Sequence, residues 1–343
     1  MKLTVLVDNN TYIDEYYYGE PGVCYYIEDG GRRLLFDLGY SDVFLKNANK
    51  MGIDLRQVDT VAFSHGHNDH MGGFRTLIEY LYSGKTGECG PEVSARRDEK
   101  KDGRIRVVAH PDCFMQKRYE GLSIGTDISL KEAERFFELN LSKEPVQISE
   151  NIWFLGEIPQ IHDFEQRTAI GEKKRADDAS GSMREKGRRS VDESMRKKGG
   201  RNAAESMRQM NGGSAAEPIR ETGDEGNRQS EREIWTADFC MEDSALVYKD
   251  TERLFIITGC SHSGICNIVS YAEQLFEGCS VTGILGGFHL FDMDERAEKT
   301  AAFLQEKKLD GLFPCHCVSL AVKCEMSRVM PIREVGVGMR LEL

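Results

Sequence analysis

Short apolar runs separated by polar turn residues recur along most of the chain. Each run is too short for a helix, so each predicts a buried strand. The predicted strands cover residues 3–7, 23–27, 34–37, 61–63, 107–109, 152–155, 245–248, 254–257, 281–285 and 312–313. The seventh and eighth of these are expected to form a hairpin around Asp250.

Between the predicted strands, apolar residues follow the spacing of a helix face. Such stretches begin near Phe74, Ile265 and Glu295 and predict three helices. The alternation of strands with helices is typical of an α/β protein. Loops that contain histidine follow the predicted strands at least four times, which is how α/β enzymes build sites at strand ends.

Residues 171–233 have a different composition. They contain no aromatic residue and repeat with a period of 12 from Ser182, Ser194 and Ser206. Each unit offers little beyond one or two methionines to bury, so packing cannot offset the entropy of ordering. We predict a disordered insertion, with an interaction segment or lid as the alternative. Residues 1–170 and 234–343 are then expected to form a single domain.

Composition narrows the possible partners. The chain is 40% hydrophobic with a net charge of -12, which favours a packed core and argues against a nucleic-acid partner. No run of 18 apolar residues predicts a membrane span. Ten cysteines without an export signal indicate reduced thiols and a cytoplasmic location. The oligomeric state stays open.

The segment Ser64–His70 carries the clearest chemistry. His65, His67, Asp69 and His70 lie within six positions, directly after a predicted buried strand. Burying these polar side chains together without a cation would be costly. Imidazole and carboxylate suit zinc, iron or manganese, so the segment predicts a divalent metal site with one or two ions, zinc first among them.

This segment resembles the His-x-His-x-Asp-His signature of the metallo-β-lactamase superfamily. The flanks Leu35–Gly39 and Met71–Gly73 resemble the strand before the signature and the glycine pair after it. Later segments resemble one branch, named for a synthase that joins a dihydropterin to ribofuranosylaminobenzene 5'-phosphate. Those segments are 156–159, 243–246, 259–264, 286–290 and 316–317. The resemblance implies an α/β, αββα four-layer sandwich with a metal site at the sheet edges, interrupted by the long disordered insertion.

The resemblance also implies site residues. The implied metal ligands are His65, His67, Asp69, His70, His262 and His316. The superfamily's mid-chain histidine ligand is missing at 156–159 and its bridging aspartate is replaced by Cys260, so His262 is expected to substitute as a ligand. Asp69 and His289 are the catalytic candidates, with His289 open as ligand, proton donor or substrate contact. Candidates for a further ligand or a supporting role are Cys260, Asp37 and His110, and those for substrate contact are Asn9, Glu157 and Phe288.

Three functions fit these residues. The first is a hydrolase that uses metal-activated water on an ester, lactone, amide or phosphoester, with a small anionic substrate. The second, implied by the branch, is a transferase acting on a pterin diphosphate. The third is a metal-dependent sensor or binding module whose repeat segment recruits a partner.

Overall fold

The computed structural model describes residues 1–82, 104–175 and 234–343. Strand pairing arranges these residues in two large sheets. The first sheet contains β1 (Lys2–Val7), β2 (Cys24–Asp29), β3 (Arg32–Phe36), β4 (Thr60–Ala62), β5 (Arg106–Ala109), β8 (Glu138–Leu141) and β17 (Arg340–Glu342). Its spatial order is β17-β1-β2-β3-β4-β5-β8, antiparallel from β17 to β3 and parallel from β3 to β8.

The second sheet is built largely from the C-terminal part of the chain. It contains β9 (Val146–Gln147), β10 (Ile152–Phe154), β13 (Ala245–Asp250), β14 (Arg253–Thr258), β15 (Ser280–Gly286) and β16 (Gly311–Pro314). Its order is β16-β15-β14-β13-β10-β9, with β14 to β16 parallel. A third, small sheet joins β6 (Lys117–Tyr119), β7 (Leu122–Ser123), β11 (Glu172–Lys174) and β12 (Trp235–Ala237).

Helices cover the outer faces of the two large sheets. They are α1 (Val43–Met51), α2 (Asn68–Met71), α3 (Phe74–Tyr82), α4 (Leu130–Phe136), α5 (Ile265–Leu275), α6 (Glu295–Glu306) and α7 (Leu320–Val329). Three short 3-10 turns span Leu55–Gln57, Pro111–Phe114 and Asp163–Glu165.

Three clusters of buried apolar side chains fill the spaces between these layers. One packs side chains of the first sheet against α1, α3 and α4, and another packs the second sheet against α5, α6 and α7. The third lies between the two sheets, where Phe36 of β3 and Ile257 of β14 are both buried. Three cores between four layers give the predicted αββα sandwich, because each sheet must bury both of its faces.

The predicted strands and helices are confirmed within a few residues, including the hairpin in which Asp250 pairs with Arg253. The structure adds short edge strands and the helices α1, α4 and α7, which are not among the predicted elements. Residues 171–175, assigned above to the insertion, belong instead to the described structure. There Glu172–Lys174 pairs with β6 and β12, so the predicted insertion boundary is five residues early. Residues 176–233, and the disorder predicted for them, lie outside the described residues.

The candidate functional residues lie in loops at the edges of the two large sheets. Loops at the carboxyl ends of β1, β3, β4, β14, β15 and β16 carry the histidine, cysteine and aspartate residues of the candidate site. Within the described ranges, no helix is both long and apolar enough to cross a membrane.

Candidate metal centre

Three buried histidines form a first cluster, which we call the imidazole group: His65, His67 and His262. His65 Nε2 lies 3.0 Å from His67 Nδ1 and 3.3 Å from His262 Nε2. Nitrogens that share one tetrahedral ion have similar separations, because metal–nitrogen bonds run roughly 2.0–2.1 Å. Burial lowers the pKa of His65 and His262 well below the usual range and also lowers that of His67. Neutral imidazoles that converge in this way fit a cation.

A second cluster, which we call the mixed group, contains Asp69, His70, Cys260 and His316. His70 Nε2 and His316 Nε2 each lie 3.2 Å from Cys260 Sγ. The same two nitrogens lie 3.5 and 3.4 Å from Asp69 Oδ2. Imidazole, carboxylate and thiol are together a donor set that zinc accepts.

Hydrogen bonds on the far side of three rings leave the Nε2 atoms facing inward. Asp37 Oδ2 lies 2.7 Å from His70 Nδ1, and Asn9 Oδ1 lies 3.0 Å from His316 Nδ1. Ser64 donates its hydroxyl to Asp37 Oδ2 at 2.7 Å, so its oxygen is free to accept from His65 Nδ1 at 3.0 Å. An acceptor at Nδ1 fixes the proton there and leaves the Nε2 lone pair for a metal.

Backbone contacts fix the loops that carry these rings. Asp37 Oδ1 accepts from the backbone N–H of Ser64 at 2.8 Å, at the start of the ligand loop. Asp8 Oδ1 accepts from the backbone N–H of His316 at 3.0 Å. Asp243, part of the branch-like segment, accepts from the backbone N–H of Ser263 at 2.9 Å and so holds the loop that carries His262. The sequence does not predict the supporting roles of Asp8 and Ser64, since short polar residues at strand ends are usually turn formers.

Backbone strain concentrates at this centre. Among the described residues, nine non-glycine residues have positive φ, and five of them belong to the centre or touch it: Asp37, Cys240, Ser261, His289 and His316. Left-handed backbone is costly for residues with a Cβ and persists where surrounding contacts impose it. The fold therefore holds these side chains in orientations that relaxed loops would not adopt.

Two members of the mixed group, His70 and Cys260, hold their protons more strongly than the rings of the imidazole group do. Burial opposes protonation of His70, yet Asp69 and Asp37 raise its pKa well above the ordinary value. Burial, followed by the contact with Cys317, raises the pKa of the Cys260 thiol well above its usual range. Burial acts to raise the pKa of Asp69, but His70 and His316 lower it well below the ordinary value. A cation entering this group would displace protons from His70 and Cys260.

The catalytic candidate His289 lies beside the imidazole group. Its ring centroid is 4.4 Å from that of His262, but His289 belongs to neither ligand group. Burial, followed by the charge of Arg296, lowers its pKa to about 3. His289 is therefore neutral near pH 7 and can donate or accept one hydrogen bond at the edge of the centre.

Two expectations are corrected by the structure. Phe288 is only 1% exposed and packs in the core between the second sheet and its helices, so it is not available for substrate contact. Of the two roles expected for His110, ligand or supporting residue, the ligand role does not fit, because its Nδ1 accepts from the backbone N–H of Asp112 at 3.0 Å and its Nε2 faces Glu157 at 3.4 Å. Glu157 itself is partly exposed and also lies 3.4 Å from Lys143. Asn9, considered for substrate contact, has its side-chain oxygen on His316.

Sequence reasoning also missed a buried charged cluster beneath the ligand loop. Lys117 Nζ lies 2.8 Å from Asp238 Oδ2 and 2.6 Å from Glu242 Oε1, and all three side chains are fully buried. Burial acts to lower the pKa of Lys117, but the carboxylates of Glu242 and Asp238 raise it above the ordinary value. Lysine and acidic residues are usually solvated, so only the fold reveals this cluster.

The two groups of converging donor atoms at the sheet edges form a candidate metal centre in this fold. Residues 17–135 match the family model described as the metallo-beta-lactamase superfamily. The chain is similar to a solved structure described as Tm1679, a metal-dependent hydrolase of the beta-lactamase superfamily. That likeness has a TM-score of 0.66 and 24% identity and covers 100% of this chain and 99% of the other.

Two relatives from Methanocaldococcus jannaschii match over most of their length. One is the uncharacterized protein MJ0448, 24% identical over 329 residues, covering 95% of this chain and 94% of the relative. The other is 7,8-dihydropterin-6-methyl-4-(beta-D-ribofuranosyl)-aminobenzene-5'-phosphate synthase, 24% identical over 332 residues, covering 92% and 87%. These comparisons agree with the metallo-β-lactamase resemblance of the ligand loop: the family model matches residues 17–135, and the solved structure shares the fold.

Proposed function

We propose that this protein is a metal-dependent hydrolase whose imidazole group and mixed group each hold one divalent ion, zinc in the first instance. The observation that carries the proposal is the convergence of buried donor atoms in two groups, with three of the histidine rings fixed from behind by Asp37, Ser64 and Asn9. Such an arrangement has little purpose without a cation, because buried polar groups facing one another are costly.

A bound divalent ion supplies Lewis acidity, which activates water and polarises the bond under attack. The residues of the chain position the attacking water and the substrate. Asp69 is ionised, since His70 and His316 lower its pKa, and it can accept a hydrogen bond from the attacking water and orient it. His289 is neutral, so it acts on substrate through one N–H or one lone pair, not as an imidazolium acid.

A small anionic substrate fits this centre. The chain carries a net charge of -12, so a cationic metal centre would be the main attraction for an anion approaching the protein. Esters, lactones, amides and phosphoesters remain the substrate classes to test.

The match to the methanopterin-type synthase favours one second candidate. In a transferase of that kind, the centre would neutralise a departing diphosphate while an aromatic amine attacks the pterin methylene carbon. The same residues would serve, but the water oriented by Asp69 would no longer be the nucleophile.

The two functions are separated by turnover assays on metal-loaded protein. Phosphodiesters, lactones and the pterin diphosphate with its aminobenzene partner are supplied in parallel, and metal per chain is measured on the same sample. Hydrolysis of a member of the first two classes supports the proposal, whereas turnover of the pterin pair alone would establish the transferase. Protein that binds no divalent ion would contradict both.

A further inference from the structure

A third cluster lies against the ligand loop, on the face of His67 opposite the imidazole group. His67 presents Nδ1 to His65, and its Nε2 lies 3.6 Å from the sulfur of Cys240. Both side chains are buried. Asp238 completes the cluster and brings its carboxylate close to the same two residues.

The charges around this cluster argue against a third metal ion. Asp238 Oδ1 accepts from the backbone N–H of Cys240 at 3.0 Å, and Oδ2 accepts from Lys117 Nζ at 2.8 Å. The ammonium group of Lys117 already occupies the position of a cation, and it also pairs with Glu242 at 2.6 Å. A divalent ion bound by Asp238 would have to displace or approach this buried positive charge.

The backbone of Cys240 is held in a strained conformation. Its φ is 48°, in the left-handed region that residues with a Cβ avoid. Its N–H is held by Asp238, and its carbonyl accepts from Arg167 Nη1 at 2.5 Å and from the backbone N–H of Asp243 at 3.0 Å. These contacts impose the conformation, and the result is a sulfur that faces the ring of a proposed ligand.

We propose that Cys240 is a positioning residue for His67: its sulfur accepts the Nε2–H and so keeps Nδ1 directed at the ion of the imidazole group. The buried pair of Lys117 and Asp238 holds Cys240 in place for this contact. The inference rests on the proposed metal centre, since His67 needs a fixed tautomer only if Nδ1 binds an ion. Partners of this kind typically change metal affinity by 10- to 100-fold.

The test compares Cys240→Ala, which removes the acceptor, with Cys240→Ser, which keeps one. Cys24→Ala is the matched control, because Cys24 is an equally buried thiol that packs in the apolar core of the first sheet. Each protein is loaded with Co²⁺ or Zn²⁺ and titrated with a chelator, and the Co²⁺ absorption spectrum and the thermal midpoint are recorded.

We expect Cys240→Ala to weaken binding of one ion by about 10- to 100-fold and to shift the Co²⁺ ligand-field bands. We expect Cys240→Ser to recover most of the affinity, and Cys24→Ala to lower only the thermal midpoint. Equal affinities in Cys240→Ala and Cys24→Ala would overturn the inference. Three bound ions per chain in the wild type, with one of them lost in Cys240→Ala, would show instead that Cys240 binds a third ion. Wild-type protein without bound metal would refute the proposed function itself.

Discussion

The imidazole group and the mixed group lie side by side, yet they hold protons in opposite ways. Burial keeps the three rings of the imidazole group neutral by lowering their pKa values. In the mixed group, carboxylates raise the pKa of His70, and burial raises that of Cys260. An ion therefore enters the first group without competing for protons, whereas the second group must release protons to bind.

The largest effect is expected from His67→Ala. This change removes a ligand of the imidazole group and disturbs the loop that leads to Asp69 and His70, so most bound metal and most activity should be lost. Loss of a supporting residue alone costs 10- to 100-fold, so we expect the activity to fall by more than about 100-fold. Elemental analysis of the purified variant measures the effect, and a full metal complement in it would refute the assignment.

The residues of this centre that the sequence predicts are those that lie close together along the chain. His65, His67, Asp69 and His70 were identified because they lie within six positions of one another after a buried strand. Cys240 and Lys117 were not, because they reach the centre only through the pairing of β6, β11 and β12 and no local pattern marks them. Phe288 was assigned to substrate contact because it lies beside His289 in the branch-like segment 286–290, whereas the tertiary fold buries its ring.

The next prediction concerns pH. A ligand whose free pKa lies above the working pH binds metal more tightly as pH rises, because a proton must leave. Cys260 and His70 both have raised pKa values, so the affinity of the mixed group should rise at least about tenfold per pH unit between about pH 6.5 and 8. The imidazole group, with lowered pKa values, should change little across this range. Chelator competition at several pH values measures both affinities.

The variant Cys260→Ser tests whether the Cys260 thiol contributes to this pH dependence. Serine retains a weak oxygen donor but has no thiol proton to release, so the pH slope of the mixed group should fall by about one proton per ion. The Co²⁺ form should also lose its sulfur charge-transfer band. Unchanged slopes in this variant would show that Cys260 is not a ligand and would remove the basis for contrasting the two groups.

A smaller effect is expected from Asn9→Ala. Asn9 holds the Nδ1 of His316 from an exposed position, where water can replace its oxygen. We expect affinity to fall by no more than about tenfold, in the mixed group alone, since His316 belongs only to that group. Asn10→Ala is the control, because the Asn10 side chain bonds to the carbonyl of Val335 instead. An equal loss in the imidazole group would mean that the two ions do not bind independently.

The smallest effect is expected from replacing residues 176–233. Lys174 pairs with Trp235 in antiparallel register, and the N–H of Arg175 donates to the carbonyl of Ile234 at 2.8 Å. The two chain ends are therefore close enough for a two-residue Asn-Gly hairpin turn. We expect this variant to keep both ions, the pH contrast and the turnover of the full chain. Loss of metal from either group would place the replaced residues in the centre, and loss of turnover alone would give them a role in substrate access.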